Sequence, residues 1–419
     1  MSWPTVPLKR MVDPTRPITY GIVQAGPDTP NGIPYIRPVD MTQSDGVPDT
    51  EKLQRTTHEI AQSYRRSTVA AGDIVVSIGP SYGKTMVVPS ALAGANLTQG
   101  TARVAPANNI STRYLYWSLQ SAAAKQFWDS SVGGATFRAL NLEPLGRTPV
   151  PLVPLAEQHR IADFLDAETA RIDHLALKRR QMRNLLRLKR ERVIESMLGL
   201  ERAQTSGTLV PLKYLVAEVT VGIVITPAKW YVETGGTPAL RGLNVKPGSI
   251  HTGDLVQISP VGHAENRKSR LSTGDVVVVR TGQAGAAAVV PAELNGANCI
   301  DLIVVRPGNK ISPKYLEYVL NSAYAIARVE EHSVGSIQAH FNVGAMRQIP
   351  IPSIAREEQD NIVRLLDTKV GALDLLYRRL HHQEQLLTER RQALITAAVT
   401  GQFDVSTASG RNVTDGVTA

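Results

Sequence analysis

The chain has few of the residues on which disulfide-rich, membrane and zinc proteins rely. It has one cysteine, Cys299, among 419 residues, so no disulfide can form within it. No apolar run reaches the roughly 18 residues that a membrane helix requires. No cysteine or histidine spacing matches a zinc site. The first residues are not a basic segment followed by an apolar stretch, so no signal peptide is predicted. We therefore expect a cytoplasmic protein without membrane contact.

Catalytic motifs are missing as well. The segment 79–85, Gly-Pro-Ser-Tyr-Gly-Lys-Thr, has too few residues between its glycines for a phosphate-binding loop, and the corresponding segment 280–285 lacks the lysine. Such a glycine-rich loop can let the backbone approach DNA, or it can simply turn the chain. The sequence has no Asn-Pro-Pro-Tyr or Asp-Pro-Pro-Tyr element for methyl transfer to an amino group. We therefore predict that the chain is not an enzyme.

What the chain does contain is one internal repeat with a period of roughly 201 residues. The matching segments include 6–9 with 210–213, 72–76 with 274–278, 94–96 with 296–298, 149–151 with 350–352, and 157–158 with 358–359. This period is far longer than the ~20–50 residues of a solenoid unit, so each copy is a domain with an appendage. Two copies of one binding unit favour a ligand with two parts. Duplication without a twofold function is the alternative.

Each copy begins with a β-rich domain. Runs of β-branched residues at 73–77 and 275–280 follow a glycine and predict strands that begin at a tight turn. Apolar spacing predicts helices over 112–123 and 313–327. Prolines then end each domain. The predicted fold class is α+β, with two β-rich domains alternating with two long helices.

After each domain, apolar residues recur at a spacing of three and four, from Ile161 to Met197 and from Ile362 to Ala398. This pattern is typical of a coiled-coil seam and predicts two helices of about 40 residues, or ~60 Å at 1.5 Å per residue. We expect the two helices to pair with each other as an antiparallel coiled coil, which makes the chain pseudo-twofold. Parallel or intermolecular pairing is the alternative. The polar seam residues Arg179, Arg190, Gln383 and Arg391 are expected to set the register or to meet other subunits.

Positive charge is in excess, with a formal net charge of +9, which favours a polyanionic partner. The first long helix carries a dense basic run: Lys178, Arg179, Arg180, Arg183, Arg187, Lys189, Arg190 and Arg192. A solvated helix face is the simple interpretation of this run. Contact with phosphates or with an acidic partner surface is the alternative.

Taken together, these features resemble the specificity subunit of a type I restriction-modification enzyme. The resemblance covers residues 1–402 and rests on the twofold layout, on the Gly-Asp-(Ile/Val)-Val-Val strands and on the domain exits. The exits run from Asn141 through Pro149-Val150-Pro151 to Glu157-Gln158, and from Asn342 through Pro350-Ile351-Pro352 to Glu358-Gln359. Each exit comes just before a long helix.

The resemblance implies that each β-rich module is a target recognition domain that reads one half of a split double-stranded DNA sequence. The paired helices are expected to act as a spacer. Two modification subunits, similar to adenine methyltransferases, are expected to dock on the spacer, and restriction subunits to add translocation and cleavage. S-adenosylmethionine, ATP and Mg are then expected in the partner subunits, and no cofactor is expected on this chain.

The implied domain organisation has five parts. They are target recognition domain 1 at 1–152, spacer helix 1 at 153–203, target recognition domain 2 at 204–352, spacer helix 2 at 353–402 and a tail at 403–419. The tail is rich in Ser, Thr and Gly and is expected to be disordered.

The two copies differ at positions where a sequence could be read. Ser81, Tyr82 and Lys84 stand against Thr281, Gln283 and Ala284, and Thr136, Phe137 and Arg138 stand against Ile337, Gln338 and His340. Such differences on a shared frame predict an asymmetric target. Arg and Lys pair with guanine edges, Gln and Asn pair with adenine, and all of them can instead hold phosphates.

The candidate DNA contacts are Ser81, Tyr82, Lys84 and Arg138 in the first domain and Arg241, Asn244, Arg280, Gln283, Gln338 and His340 in the second. Structural roles are the alternatives: an ion pair for Arg280, a turn for Tyr82, and a solvated loop for Arg241 and Asn244. If Lys84 contacts a phosphate, its replacement by Ala weakens binding to every sequence and flattens the salt dependence.

Two other functions share these features. One is a coiled-coil adaptor that binds protein and has no sequence-specific contact with DNA. The other is the specificity subunit of a smaller restriction system without a translocating motor.

Overall fold

The computed structural model describes residues 3–42, 46–132, 139–331 and 341–405. The chain divides into two compact units. Unit 1 comprises residues 1–179 and 382–419, and unit 2 comprises residues 180–381. Each unit therefore holds one β-rich domain together with parts of both long helices. The fold is α+β, as predicted.

Unit 1 contains nine short strands and four short α-helices among its described residues. The strands are β1 (Thr5–Pro7), β2 (Thr19–Tyr20), β3 (Ile33–Ile36), β4 (Arg55–Thr56), β5 (Ile74–Ser77), β6 (Thr85–Val87), β7 (Asn96–Leu97), β8 (Thr101–Val104) and β9 (Pro149–Pro151). The short helices are α1 (His58–Ser63), α2 (Thr112–Gln120), α3 (Ala122–Val132) and α4 (Leu142–Arg147). The first long helix is α5 (Leu155–Leu198), and it continues into unit 2.

Two sheets form the domain of unit 1. One has the strand order β2-β8-β5-β6 and the other has the order β4-β3-β7, in which β3 and β7 are parallel. Strand β5 lies between two cores, because Ile74 and Val76 face a cluster with Trp128, while Val75 faces a cluster with Leu97. Apolar side chains on both faces explain why β5 is an uninterrupted run of buried residues.

Unit 2 continues the chain with a second set of elements. Its helices are α6 (Leu200–Ser206), α7 (Pro260–Glu265), α8 (Pro313–Leu320), α9 (Ala323–Glu331), α10 (Val343–Gln348) and the start of the second long helix, α11 (Arg356–Thr400). Its strands are β10 (Leu209–Pro211), β11 (Glu218–Val221), β12 (Tyr231–Val232), β13 (Thr237–Leu240), β14 (Val245–Lys246), β15 (Ser249–Ile250), β16 (Val256–Ile258), β17 (Val276–Val279), β18 (Ala287–Val289), β19 (Asn298–Cys299), β20 (Leu302–Arg306) and β21 (Pro350–Pro352).

The main sheet of unit 2 repeats that of unit 1, with the order β11-β20-β17-β18. A second sheet has the order β12-β16-β13-β19, in which β13 and β19 are parallel. The strands β14 and β15 form a separate hairpin. Unit 2 therefore keeps the frame of unit 1, with one more strand in its second sheet and a separate hairpin.

The repeated Gly-Asp pair has the same role in both units. Gly72 and Gly274 have φ values of +86° and +88°, which glycine adopts without strain. The following aspartates then accept backbone N–H bonds, at 2.7 Å from Ala70 to Asp73 and at 2.8 Å from Ser272 to Asp275. The pair thus fixes the turn that starts each central strand.

The helices predicted over 112–123 and 313–327 are each two helices. The breaks fall at Ser121 and Ser322, which are 3% exposed. Each serine Oγ donates to the carbonyl oxygen three residues earlier and accepts from the N–H three residues later. One buried hydroxyl therefore ends the first helix and caps the second, which apolar periodicity alone does not reveal.

The first and last strands of each domain pair with each other. β1 pairs with β9 in antiparallel register, with Val6 opposite Val150. β10 pairs with β21 in the same way, with Val210 opposite Ile351. The proline-rich exits are therefore strands, and each domain begins and ends at one place.

Each unit pairs one part of α5 with one part of α11. In unit 1, Arg391 donates to Asp173 at 3.0 Å, and Ile172 lies in one core with Leu394. Further back on α5, Phe164 packs against Phe403, which follows α11, with ring centroids 5.7 Å apart. A contact that lies earlier on α5 is therefore made by a residue that lies later in the chain of α11. The pairing in unit 1 is antiparallel.

The same pairing occurs in unit 2. Arg190 donates to Asp374 at 3.0 Å, and Arg183 lies 2.8 Å from His381. Arg190 lies seven residues after Arg183 on α5, and its partner Asp374 lies seven residues before His381 on α11. The pairing in unit 2 is therefore also antiparallel. The polar seam residues Arg190 and Arg391 therefore form cross-helix ion pairs. Because these pairs are partly exposed, each is worth only ~0.2–1 kcal/mol and acts on register more than on stability.

The two long helices end differently. Gly199, with a φ of +63°, separates α5 from α6. After α11, Phe403 packs as described and Val405 is buried. Packed structure therefore extends three residues into the segment 403–419, where we expected disorder, and residues 406–419 lie outside the described part of the chain.

A buried glutamine at the start of each long helix explains the Glu-Gln pair of the domain exits. Gln158 accepts from the N–H of Ser111 at 2.8 Å and donates to the carbonyl of Val153 at 2.9 Å. Gln359 accepts from the N–H of Ser312 at 2.7 Å and donates to the carbonyl of Ile354 at 2.9 Å. Each glutamine is 2% exposed and ties the first turn of the long helix to the domain.

Replacing Gln359 by Leu is expected to lower the free energy of unfolding by about 1–3 kcal/mol, because the buried N–H of Ser312 and the backbone carbonyls lose their partner. Denaturant unfolding of the purified chain measures this loss. The control is Gln385→Leu, on the exposed surface of the same helix, which should leave stability nearly unchanged. Equal stability of the two variants would contradict the role assigned to Gln359.

Candidate nucleic-acid interface

The hairpin that follows the central strand has the same backbone frame in both units. In unit 1 the N–H of Gly83 donates to Ser77 at 3.0 Å, and in unit 2 the N–H of Gly285 donates to Val279 at 2.9 Å. The two glycines have φ values of +94° and +92°, so a side chain at either position is strained. The frame is therefore constant, while the residues carried by the loops differ.

In unit 1 this loop carries three predicted contacts. Ser81 is exposed, and its carbonyl oxygen accepts from the hydroxyl of Ser77 at 2.9 Å. Tyr82 is half-buried against the core, and its hydroxyl donates to Asp129 on α3 at 2.7 Å. Of these two, Ser81 is free to meet a ligand from solvent, while Tyr82 also anchors the loop to α3.

Lys84 is directed at protein atoms. Its Nζ donates to the carbonyl oxygens of Pro38 at 2.9 Å and Met41 at 3.0 Å, and its backbone N–H donates to Ser77. The ammonium group therefore fastens the segment 38–41 to the hairpin. This geometry favours a positioning role over the predicted phosphate contact.

The domain exit lies beside the base of each hairpin. The N–H of Leu140 donates to the carbonyl of Ile78 at 2.9 Å, and the N–H of Phe341 donates to the carbonyl of Arg280 at 3.2 Å. In the sequence, Leu140 and Phe341 come shortly after the stretches in which the copies differ before the exit. Three predicted contacts in these stretches, Arg138, Gln338 and His340, lie outside the described residues.

In unit 2 the loop carries Arg280 and Gln283. The guanidinium of Arg280 is held by Asp301 at 2.7 Å and by the carbonyl of Phe341 at 3.1 Å, and its side chain is 15% exposed. This is the structural ion pair that stood as the alternative for Arg280. Gln283 is exposed and lies 3.5 Å from Nζ of Lys246.

The other two predicted contacts of unit 2 lie just before β14. Asn244 is 1% exposed; its side chain accepts from the N–H of Arg241 at 2.9 Å and donates to the carbonyl of Asp254 at 3.2 Å. Arg241 also donates to Asp254. Both residues thus hold this loop together, and Asn244 cannot reach a base edge without leaving the fold.

One residue missed by the sequence reasoning is Lys246. It is exposed at the end of β14, and the adjacent turn at Gly248 donates its N–H to Ala287 at 2.9 Å, next to the variable loop. Lys246 and Gln283 therefore form a pair of exposed polar groups in unit 2. The Lys-Pro-Gly sequence is the signal that could have revealed it, because it marks a tight turn with a basic residue at its edge.

The described residues hold no group of three or more His, Cys, Asp or Glu side chains placed to bind a metal ion. None of the described helices is long and apolar enough to cross a membrane.

In sequence, the chain is similar to specificity subunits of type I restriction enzymes. A sequence model described as the type I restriction modification DNA specificity domain matches residues 24–181. The chain is similar to the type I restriction enzyme EcoBI specificity subunit of Escherichia coli, with 32% identity over 161 residues. It is also similar to the StySPI specificity subunit of Salmonella potsdam, with 30% identity over 187 residues. These matches cover 38% and 41% of the chain and 33% and 37% of the two relatives, so the chain matches about a third of each relative.

Solved structures show the fold over nearly the whole chain. One comes from a study of complex assembly and conformational transition of the type I R-M system, with a TM-score of 0.71, 19% identity, and coverage of 96% of this chain and 98% of that chain. Another is the HsdS subunit from Thermoanaerobacter tengcongensis, with a TM-score of 0.50, 17% identity, and coverage of 96% and 97%. The sequence model and the two relatives confirm the resemblance inferred from the sequence, and the solved structures support the fold.

The position of Lys84 leads to a specific expectation. For the DNA binding expected from the sequence, Lys84→Met should lower the affinity without changing the slope of affinity against salt, because Nζ of Lys84 donates to protein carbonyls. Binding measured over a range of salt concentrations checks this. Lys52→Met, at an exposed lysine of the same domain, serves as the control. A shallower salt slope for Lys84→Met, but not for Lys52→Met, would support the predicted phosphate contact of Lys84 instead.

Proposed function

We propose that this chain, which carries the DNA specificity domain of type I restriction-modification enzymes at residues 24–181, is the sequence-recognition subunit of such an enzyme. In this proposal the chain performs no catalysis. It selects the DNA target, directs adenine methylation by modification subunits, and directs cleavage by restriction subunits.

The observation that carries the proposal is the repeated hairpin with different side chains. Unit 1 presents Ser81 on this frame, and unit 2 presents Gln283 with Lys246 beside it. A serine hydroxyl and a carboxamide make different hydrogen bonds to base edges. Two unlike readers on one frame support a bipartite, asymmetric target in double-stranded DNA.

The surface of the long helices supports the docking of partner subunits. On α5, unit 1 exposes Leu175 and Leu177, and unit 2 exposes Met182, Leu185 and Leu188. Basic residues alternate with them, and some are already paired within α5 itself, such as Arg187 with Glu191 at 2.9 Å. Exposed apolar side chains rimmed by charge are typical of protein interfaces.

We assign these surfaces to two modification subunits, and the motor and nuclease to restriction subunits. The chemistry then belongs to the partners, which bring S-adenosylmethionine, ATP and Mg. A system without a motor needs the same specificity chain, and co-purified subunits distinguish the two cases. A coiled-coil adaptor also needs the helices, but it gives no reason for two hairpins of one frame with different side chains.

Methylome sequencing of cells with and without this chain tests the proposal. We expect one split adenine-methylation motif, with two different halves, to disappear when the chain is deleted and to return with a plasmid copy. An unchanged methylome would favour the adaptor. A lost motif whose two halves are identical would contradict the asymmetric target while leaving DNA recognition in place.

Leu185→Glu tests the docking surface. Leu185 is 65% exposed on α5, so a charge there should leave the fold intact but should weaken the co-purification of modification subunits by about tenfold, equivalent to ~1.4 kcal/mol. Quantitative pull-down from cells that express all subunits provides the measurement. Val261→Glu on α7, at a position 60% exposed, is the matched control. If both variants retain the partner equally, this part of α5 is not the docking surface.

A further inference from the structure

A basic cleft in unit 1 involves none of the DNA contacts predicted from the sequence. Its volume is about 580 Å³, and four arginines line it: Arg16, Arg65, Arg66 and Arg103. The other described residues that line the cleft are neutral. The cleft therefore concentrates positive charge within a single domain.

Arg103 is the unusual member of this group. It lies in strand β8 and is 5% exposed. Its terminal nitrogens donate to the carbonyl oxygens of Thr68 at 2.9 Å and Pro17 at 3.3 Å, while its Nε has no hydrogen-bond partner among the described residues. Burial and then the charge of Arg16 lower the pKa of the Arg103 guanidinium. Because a buried cation needs a counter-charge, this environment favours an anion in the cleft.

The nearby carboxylate of Asp73 is largely used by other groups. The two terminal nitrogens of Arg16 donate to its two oxygens at 2.8 and 2.5 Å, and the N–H of Ala70 donates to it at 2.7 Å. Arg65 and Arg66 are exposed, and neither forms an ion pair within the described part of the chain. Their guanidinium groups remain available to a ligand that approaches from solvent.

We propose that this cleft binds backbone phosphate groups of the DNA duplex. Guanidinium groups match phosphate with two parallel N–H bonds, and successive phosphates along a strand can meet Arg65 and Arg66 in turn. Phosphate contacts of this kind fix the position of a protein on DNA but carry no sequence information. The inference rests on the proposed function and assigns to it a non-specific anchor near the start of the central strand β5, whose other end leads into the variable hairpin loop.

Unit 2 repeats only part of this arrangement. A 3-10 helix at Arg267–Ser269 corresponds to the one at Arg65–Ser67, so a basic pair is present in both units. Val304 pairs with Val277 where Arg103 pairs with Val75, so unit 2 lacks the buried arginine. Unit 1 is therefore expected to hold its part of the duplex more firmly.

The test replaces both Arg65 and Arg66 by Ala in the full complex with its modification subunits. Affinity is measured over a range of salt concentrations for a duplex with the methylation motif and for one without it. We expect weaker binding to both duplexes and a salt slope shallower by about two, because each lost phosphate contact removes ~0.9 from it. The methylated motif should stay the same.

The control is the double variant Lys9→Ala with Arg147→Ala. It removes two exposed positive charges from another cleft of the same unit, of about 250 Å³, which also contains Asp13 and Glu143. Its salt slope should remain that of the wild type. An equal change of salt slope in both double variants overturns the proposal, because the change then follows from the loss of positive charge anywhere in the unit.

Two further outcomes separate the possible failures. An unchanged slope for the Arg65 and Arg66 variant overturns the proposal. If millimolar inorganic phosphate also raises the thermal unfolding temperature of the wild type but not of this variant, the cleft is a site for a small free anion. A wild-type complex without preference for its motif contradicts the proposed function instead.

Discussion

The buried glutamine at the start of each long helix is the contact on which the rest of the structure depends. A long helix has no intrinsic direction relative to the domain that precedes it, and a proline-rich connector alone leaves that direction free. Gln158 and Gln359 remove this freedom, because each bonds to the N-terminus of a domain helix and to the connector. Each domain is thereby held in a fixed geometry relative to the start of the long helix that follows it.

Within each domain, the two copies share the backbone frame and differ in the side chains of the loop. The glycine turn, the central strand and the hairpin bonds are shared by both copies, and they are made mostly by backbone atoms. Side chains at the loop differ, and so do the groups that support them. In unit 1, Lys84 bonds the hairpin after β5 to the segment 38–41. In unit 2, the hairpin of β14 and β15 is bonded to the corresponding hairpin, through the N–H of Gly248 and the carbonyl of Ala287. A backbone frame tolerates such changes because few of its bonds involve the variable side chains.

The sequence was sufficient for the features that repeat along the chain. Period, apolar spacing and proline positions predicted the α+β class and the antiparallel helices, and the seam residues Arg190 and Arg391 do form cross-helix ion pairs. The breaks at Ser121 and Ser322 were missed, because a serine within an apolar helix pattern shows its capping role only when it is buried. A local pattern carries no information about burial.

Site residues were harder to predict for a related reason. Lys84, Asn244 and Arg280 are polar residues of loops, which is the pattern that predicted them as contacts, but each bonds to protein atoms that this pattern does not indicate. Lys84 bonds to carbonyls more than 40 residues earlier, and Arg280 bonds to an aspartate 21 residues later. Whether a loop cation faces solvent or protein is decided by such contacts. Arg103 is the opposite case, since its place within a strand of apolar neighbours concealed a cation that lines a cleft.

The pairing of the first strand of each domain with its last has an evolutionary consequence. The chain leaves each domain beside the point where it arrived, so everything between the two strands forms a closed insert on the helical scaffold. Recombination between related genes with cross-overs in these strands exchanges a whole insert and leaves the buried glutamines and helices untouched. A lineage can thus acquire a new domain in one step, without passing through intermediates in which half of a binding surface has been replaced.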